Sequence, residues 1–150
     1  MKKIVFVTLV LLTSILSVSA QTPEIFVKDG FAIGGYDVVS YFTESKPVKG
    51  IETISVTWKD AKWLFSTKKN ADLFKANPEK YAPQYGGYCA YGCSRGYKAK
   101  TDADAYTITN GKLYFNYNLK TREAWSKDIK AYVEKADQEW EKIKDKAFNN

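Results

Sequence analysis

Histidine is absent from all 150 residues. That excludes every Ser-His-Asp or Cys-His catalytic arrangement and every His-ligated metal site. Cysteine occurs twice, methionine once and proline four times, too few for a multi-bridge disulfide framework or a proline-rich linker. Neither a phosphate loop nor a Gly-x-Ser-x-Gly elbow is present. Neither sign of charge dominates: 23 basic residues oppose 17 acidic ones. The lysines are spread through the chain rather than clustered, which fits a solvated surface better than a nucleic-acid footprint. No nucleic-acid partner is therefore expected.

What is present points to one globular domain. The chain is 45% hydrophobic and 27% charged, close to ordinary soluble proteins and long enough for a single core. Aromatics reach 15%, with 11 Tyr, 8 Phe and 4 Trp, so the core is expected to be built around rings. Residues 1–20 read as an export signal. Lys2 and Lys3 give a positive start, Ile4 to Leu12 is apolar apart from Thr8, and Val18-Ser19-Ala20 supplies small residues for cleavage. The apolar run is too short, and too soon followed by polar residues, for a membrane span. No cysteine follows it, so a lipoprotein anchor is not indicated. The expected mature chain is residues 21–150, a single domain without a stable membrane span and periplasmic or secreted. Loss of Lys2 and Lys3 lowers its net charge from +6 to +4.

The pattern along the chain is β first and helix last, an α+β class with a small antiparallel sheet, hairpins, short helices and a long amphipathic C-terminal helix. Glu24 to Phe42 reads as a strand and turns punctuated by Gly30, Gly34 and Gly35. Thr53 to Trp58 alternates polar and apolar residues, the period of a half-buried strand. Lys59-Asp60 turns into a second strand, Ala61 to Phe65. Ser66 or Thr67 is placed to cap a helix over Lys68 to Ala76, stopped by Asn77-Pro78. Asn110-Gly111 predicts a type I′ hairpin between Tyr106–Thr109 and Lys112–Phe115. From Trp125, apolar residues at Ile129, Tyr132, Val133, Ala136, Trp140 and Ile143 share one helical face, with Thr121 as the expected N-cap.

The chemistry candidates fall in Tyr81 to Cys93, where tyrosines and glycines surround both cysteines. Cys89 and Cys93 are spaced i, i+4. On a helix both thiols would lie on one face, close enough to share a soft metal or, with distortion, to bond. Two thiolates alone suit Cu(I) better than Zn²⁺. The spacing is not the Cys-x-x-Cys of thioredoxin-like oxidoreductases. Tyr85, Gly86, Gly87, Tyr88 and Tyr91, together with Asp37 and Tyr41, are the expected lining of a ligand site. Asp37 also suits a turn cap. Asp102 and Asp104 alternate like calcium ligands, but without the glycine and terminal Glu of a calcium loop they read as a turn.

Three stretches carry a family resemblance: Gly35-Tyr36-Asp37-Val38-Val39-Ser40-Tyr41-Phe42, Trp63-Leu64-Phe65-Ser66, and Asn77 through Ala90 with its Tyr-Gly-Gly-Tyr-Cys-Ala core. They resemble the YHS-domain family, and more narrowly its exported single-domain members, which are similar also in the Asn110-Gly111-Lys112-Leu113-Tyr114 hairpin and the Trp-bearing C-terminal helix. The resemblance implies a small α+β domain and an association with heavy metals, chiefly copper. Metal-linked YHS modules tend to carry cysteines where this chain has Ser40, Ser66 and Asn70, so no ligand carries over to those positions. Cys89 remains within the motif, and Cys93 is an addition.

Two functional readings follow. One is an exported, non-catalytic binding module that takes copper, another soft metal or a small ligand at the Cys89–Cys93 loop. The other is a thiol redox protein cycling that pair. A structural or interaction domain stapled by a Cys89–Cys93 disulfide is the third alternative. Hydrolytic or oxygenase activity is not expected, and no protein partner is indicated.

Overall fold

The computed structural model describes residues 24–148. The expected export signal lies outside them. Helix at 41% against strand at 22% gives an α+β fold, as the patterning predicts. The strands, however, form three separate two-stranded antiparallel sheets rather than one.

Each sheet is a hairpin whose turn is written locally. β1 (Val27–Lys28) pairs with β2 (Phe31–Ala32) around Asp29-Gly30. β3 (Ile51–Trp58) pairs with β4 (Ala61–Phe65) around Lys59-Asp60, with a bulge between Ile51 and Ser55. β5 (Tyr106–Thr109) pairs with β6 (Lys112–Phe115) around Asn110-Gly111 in the predicted register. In all three turns both central residues have positive φ, the twist that suits a two-residue hairpin.

Six α-helices separate and cover these hairpins among the described residues. α1 (Ser40–Thr43) and α2 (Lys68–Ala76) flank the β3–β4 hairpin, and the Thr67 hydroxyl accepts the Asn70 N–H to cap α2, as expected. α3 (Pro78–Tyr81) begins where Asn77-Pro78 ends α2. α4 (Ala90–Cys93) carries the second cysteine. The C-terminal helix is not continuous from Trp125. It divides into α5 (Leu119–Ser126) and α6 (Ile129–Ile143). Asn118, not Thr121, caps α5 by accepting the Thr121 N–H at 2.8 Å, and Asp128 caps α6 by accepting the Ala131 N–H at 3.1 Å. Each short polar side chain satisfies an N–H that a helix start leaves without a partner. Thr121 sits inside α5, its hydroxyl donating to Asn118 Oδ1.

The core is aromatic, as composition implies. Trp63, Phe65 and Phe74 stack at 5.0–5.1 Å around Phe74, Tyr41 meets Phe115 edge-on at 5.2 Å, and Trp125 lies against Tyr114. Such pairs add to the stabilisation from burying their area. No helix among the described residues is long and apolar enough to cross a membrane.

Candidate functional site

The expected site residues divide into a buried polar cluster, a packed aromatic layer and an open cleft. Asp37 organises the first. It is fully buried, and its carboxylate accepts five hydrogen bonds. Oδ1 takes the N–H groups of Val39 and Ser40 at 2.9 and 3.3 Å. Oδ2 takes the Ser66 N–H, the Ser66 hydroxyl and the Asn70 amide at 2.8, 2.6 and 2.8 Å. The Ser40 hydroxyl donates back to the Asp37 carbonyl. Five donors offset the cost of taking a carboxylate out of water, and they leave it no capacity for a ligand. Asp37 is therefore a buried brace joining three parts of the chain and lines no ligand site. Its partners Ser40, Ser66 and Asn70 are the three positions singled out by the resemblance, 26 or more residues apart between the first and the others, yet gathered on one carboxylate.

Tyr41, Tyr85 and Tyr88 form the packed layer. The Tyr41 hydroxyl donates to the Ala103 carbonyl and the Tyr85 hydroxyl to Asp137 at 2.8 Å. Burial raises all three phenols, Tyr88 to about 12, with the Asp137 hydrogen bond adding to the rise at Tyr85. Tyr85 takes positive φ, and with Gly86 it lines a separate small cleft of about 220 Å³ beside Trp58. Gly87 packs under Ile33. These residues hold the core and do not face the cysteines' cleft.

The cysteines themselves sit in different settings. Both are free thiols and both are buried, Cys89 2% exposed and Cys93 0%. The pair was expected to share one accessible face; only Cys89 reaches a cleft. Cys89 is the N-cap of α4, with φ −56° and ψ 115°, so it does not follow helical geometry and the i, i+4 rule fails at its first member. Cys93 lies in the hydrophobic core under α6, with Tyr85, Tyr88 and Lys98 in its electrostatic surroundings. Burial, then the neighbouring Cys89, pushes the Cys93 thiol up to about 12, against the opposing pull of Lys98. Burial also raises Cys89, although the N–H groups of Gly92, Tyr117 and Tyr91 favour its thiolate. Both shifts favour the thiol over the thiolate, the form that attacks and binds metal. No group of three or more Cys, Asp or Glu side chains that could hold a metal ion occurs among the described residues.

Cys89 forms part of the lining of a cleft of about 440 Å³ with Tyr91, Tyr97, Ala99, Tyr117, Thr121 and Ala124, and with Lys120 as its one charged residue. Its sulfur accepts the Gly92 N–H at 3.4 Å and its thiol donates to Asn116 Oδ1 at 3.6 Å. Asn116 is fully buried; the same oxygen accepts the Tyr91 N–H, while its Nδ2 has no partner. Tyr91 is fixed from behind by Tyr132 of α6 at 5.1 Å and by Arg95, which stacks on its ring and donates to its hydroxyl. Tyr97 folds over Gly92, where a Cβ would meet its ring at 3.1 Å. Thr121 and Ala124 of α5 close the opposite wall.

Tyr97 and Tyr117 were not among the expected site residues. They are 50% and 45% exposed, and each stands in a polar stretch, Gly96-Tyr97-Lys98 and Asn116-Tyr117-Asn118, outside any strand or helix period. A large ring without a place in a core pattern is the signal that would have found them. The chain matches no protein-family model, no curated protein and no solved structure.

Proposed function

We infer that the chain is an exported, non-catalytic binding module of the YHS type, which receives a small, largely apolar ligand in the cleft over Cys89. The observation that carries the ligand reading is the cleft itself. Three tyrosines and Ala124 line a concavity of about 440 Å³, two of those tyrosines are about half exposed, and Cys89 is part of the same lining. Ligand sites are commonly concave, mostly apolar and provided with a few fixed polar groups. The YHS resemblance is supported by the meeting of Ser40, Ser66 and Asn70 on Asp37, since positions that share a role in one family should converge in space. A hydrogen-bonded brace at that point favours a module that has given up metal there.

A soft metal held by Cys89 and Cys93 is the second reading, favoured by their closeness in the chain's fold, where the Cys93 N–H donates to the Cys89 carbonyl at 2.8 Å. The burial of both sulfurs, which favours their thiol form, weighs against it, and against a thiol redox cycle through the sealed Cys93.

The test is a ¹⁵N–¹H titration of the reduced protein with 2-naphthylmethanol, a neutral two-ring probe. The amides of Tyr91, Tyr97, Ala99 and Tyr117 are expected to shift, and Ala124→Trp, which fills the cleft, to abolish the shifts. Absence of shifts at those amides would overturn the reading. Cu(I) uptake that disappears in both Cys89→Ser and Cys93→Ser would instead establish the metal reading.

A further inference from the structure

The cleft over Cys89 shares a lining residue, Tyr117, with a second one. The second cleft, about 380 Å³, lies between residues 28–36 and the stretch 100–103, and it is more polar than the first. Its charged lining is three lysines, Lys28, Lys49 and Lys100, and two aspartates, Asp29 and Asp102. Lys49 is held in place: its ammonium donates to the Gly34 carbonyl at 2.7 Å and stands 3.9 Å from the centre of the Tyr36 ring. Lys100 reaches over the Tyr117 ring at 5.8 Å. The Lys28 stem runs along Gly34, where a Cβ would meet its Cδ at 3.7 Å. Among the described residues none of the three lysines lies within ion-pairing distance of a carboxylate, whereas six other lysines do. Asp102 is partly committed, its Oδ1 accepting the Asp104 N–H. Ala99 lines the apolar cleft and Lys100, the next residue, lines the polar one.

We propose that the two clefts form one bipartite site for a small organic monoanion, a flat apolar body bearing a carboxylate. This rests on the reading of the Cys89 cleft as a ligand site. The body lies against Tyr91, Tyr97 and Tyr117 over the Cys89 thiol, and the carboxylate is taken among Lys28, Lys49 and Lys100. Tyr117 is the residue common to the two parts, with the Lys100 ammonium 5.8 Å from the centre of its ring. The polar cleft's own lining sums to one positive charge, with Lys120 of the apolar cleft a further cation outside it, so a singly charged head suits the polar cleft. A dianionic phosphate ester would gain more from the lysines, but it would also meet Asp29 and Asp102 at close range. Lysine ammoniums act as point charges rather than as forks, so they read the charge of the head and leave its shape to the tyrosines.

The experiment compares 2-naphthoate, 2-naphthyl phosphate and neutral 2-naphthylmethanol by ¹⁵N–¹H titration of the full chain and of Lys28→Gln/Lys100→Gln. Lys49 is left intact because it braces Gly34. In the unsubstituted protein the carboxylate is expected to bind about tenfold or more tightly than the alcohol, the scale of a charge-assisted contact, and at least as tightly as the phosphate. It should shift amides around Lys28, Lys49 and Lys100 as well as those of the apolar cleft. The double substitution should bring carboxylate affinity down to that of the alcohol measured on the same variant. Equal affinities in the unsubstituted protein, or a double variant with undiminished preference for the carboxylate, would overturn the proposal; tighter binding of the phosphate would overturn its single-charge form. Failure of the alcohol to shift the apolar-cleft amides sinks the reading of the Cys89 cleft, and is recorded separately from the lysine dependence that decides this one.

Discussion

Replacing Asp37 by alanine is expected to lower the unfolding free energy by about 3–5 kcal/mol, the cost of removing one partner from a fully buried polar network. The removed carboxylate takes the side-chain acceptor from the buried Val39 N–H and Asn70 amide and from the half-buried Ser66 N–H and hydroxyl, while the Ser40 N–H keeps the carbonyl of residue 37 at 3.2 Å. Each unsatisfied buried donor carries its own desolvation penalty. Ser66→Ala is the graded comparison. It deletes one hydroxyl donor while the Ser66 N–H and Asn70 still serve Oδ2, so about 1 kcal/mol is expected. Urea unfolding of the three proteins measures both steps. If Asp37→Ala lies within about 1 kcal/mol of the unsubstituted chain, the carboxylate is not the brace described here.

Gly86→Ala is expected to be as damaging, at least about 3 kcal/mol, through a steric conflict with no soft partner. A Cβ at Gly86 would fall on the carbonyl oxygen of Glu24, and backbone rather than a flexible side chain would have to move. The close passage is fixed by the Phe26 N–H donating to the Gly86 carbonyl at 2.8 Å. Displacing it pulls on Ile25 and Phe26, both buried in the core. Gly111→Ala separates sterics from backbone preference. Gly111 also has positive φ, 71°, but a Cβ there meets nothing within 4 Å, so only the conformational cost of about 1 kcal/mol applies. Thermal or urea unfolding that places the two variants together would refute the close-approach account of Gly86.

The parts of the fold that were legible in the sequence are those decided by neighbours along the chain. Asn110-Gly111 fixes its hairpin because few residue pairs accept two positive φ values in succession. Thr67 and Asn77-Pro78 bound α2 because a cap and a proline act on adjacent backbone. What was not legible is decided by residues far away. Alternation in Thr53 to Trp58 and the Lys59-Asp60 turn show one hairpin but not whether further strands join it, and the three hairpins remain separate sheets. The apolar stripe from Trp125 to Ile143 has one period throughout, yet Asp128 supplies a second helix start that the stripe does not reveal. The thiols show the same limit. Spacing alone placed Cys89 and Cys93 on one face, while the extended backbone at Cys89 turns its sulfur toward Asn116 and the packing of α6 closes over Cys93. Asp37, read as either a turn cap or a ligand-lining residue, is a cap whose second oxygen collects Ser66 and Asn70 from across the chain. Nothing local to Gly35-Tyr36-Asp37 states that.

The most direct measurement of the central claim is the rate at which iodoacetamide labels each thiol of the native reduced protein, read by mass spectrometry with and without saturating 2-naphthylmethanol. Cys89 is expected to react first, because it alone lines a cleft, and the probe to slow it severalfold while leaving the slow labelling of Cys93 unchanged. Equal rates for the two thiols, or a Cys89 rate indifferent to the probe, would contradict a ligand site built over that sulfur.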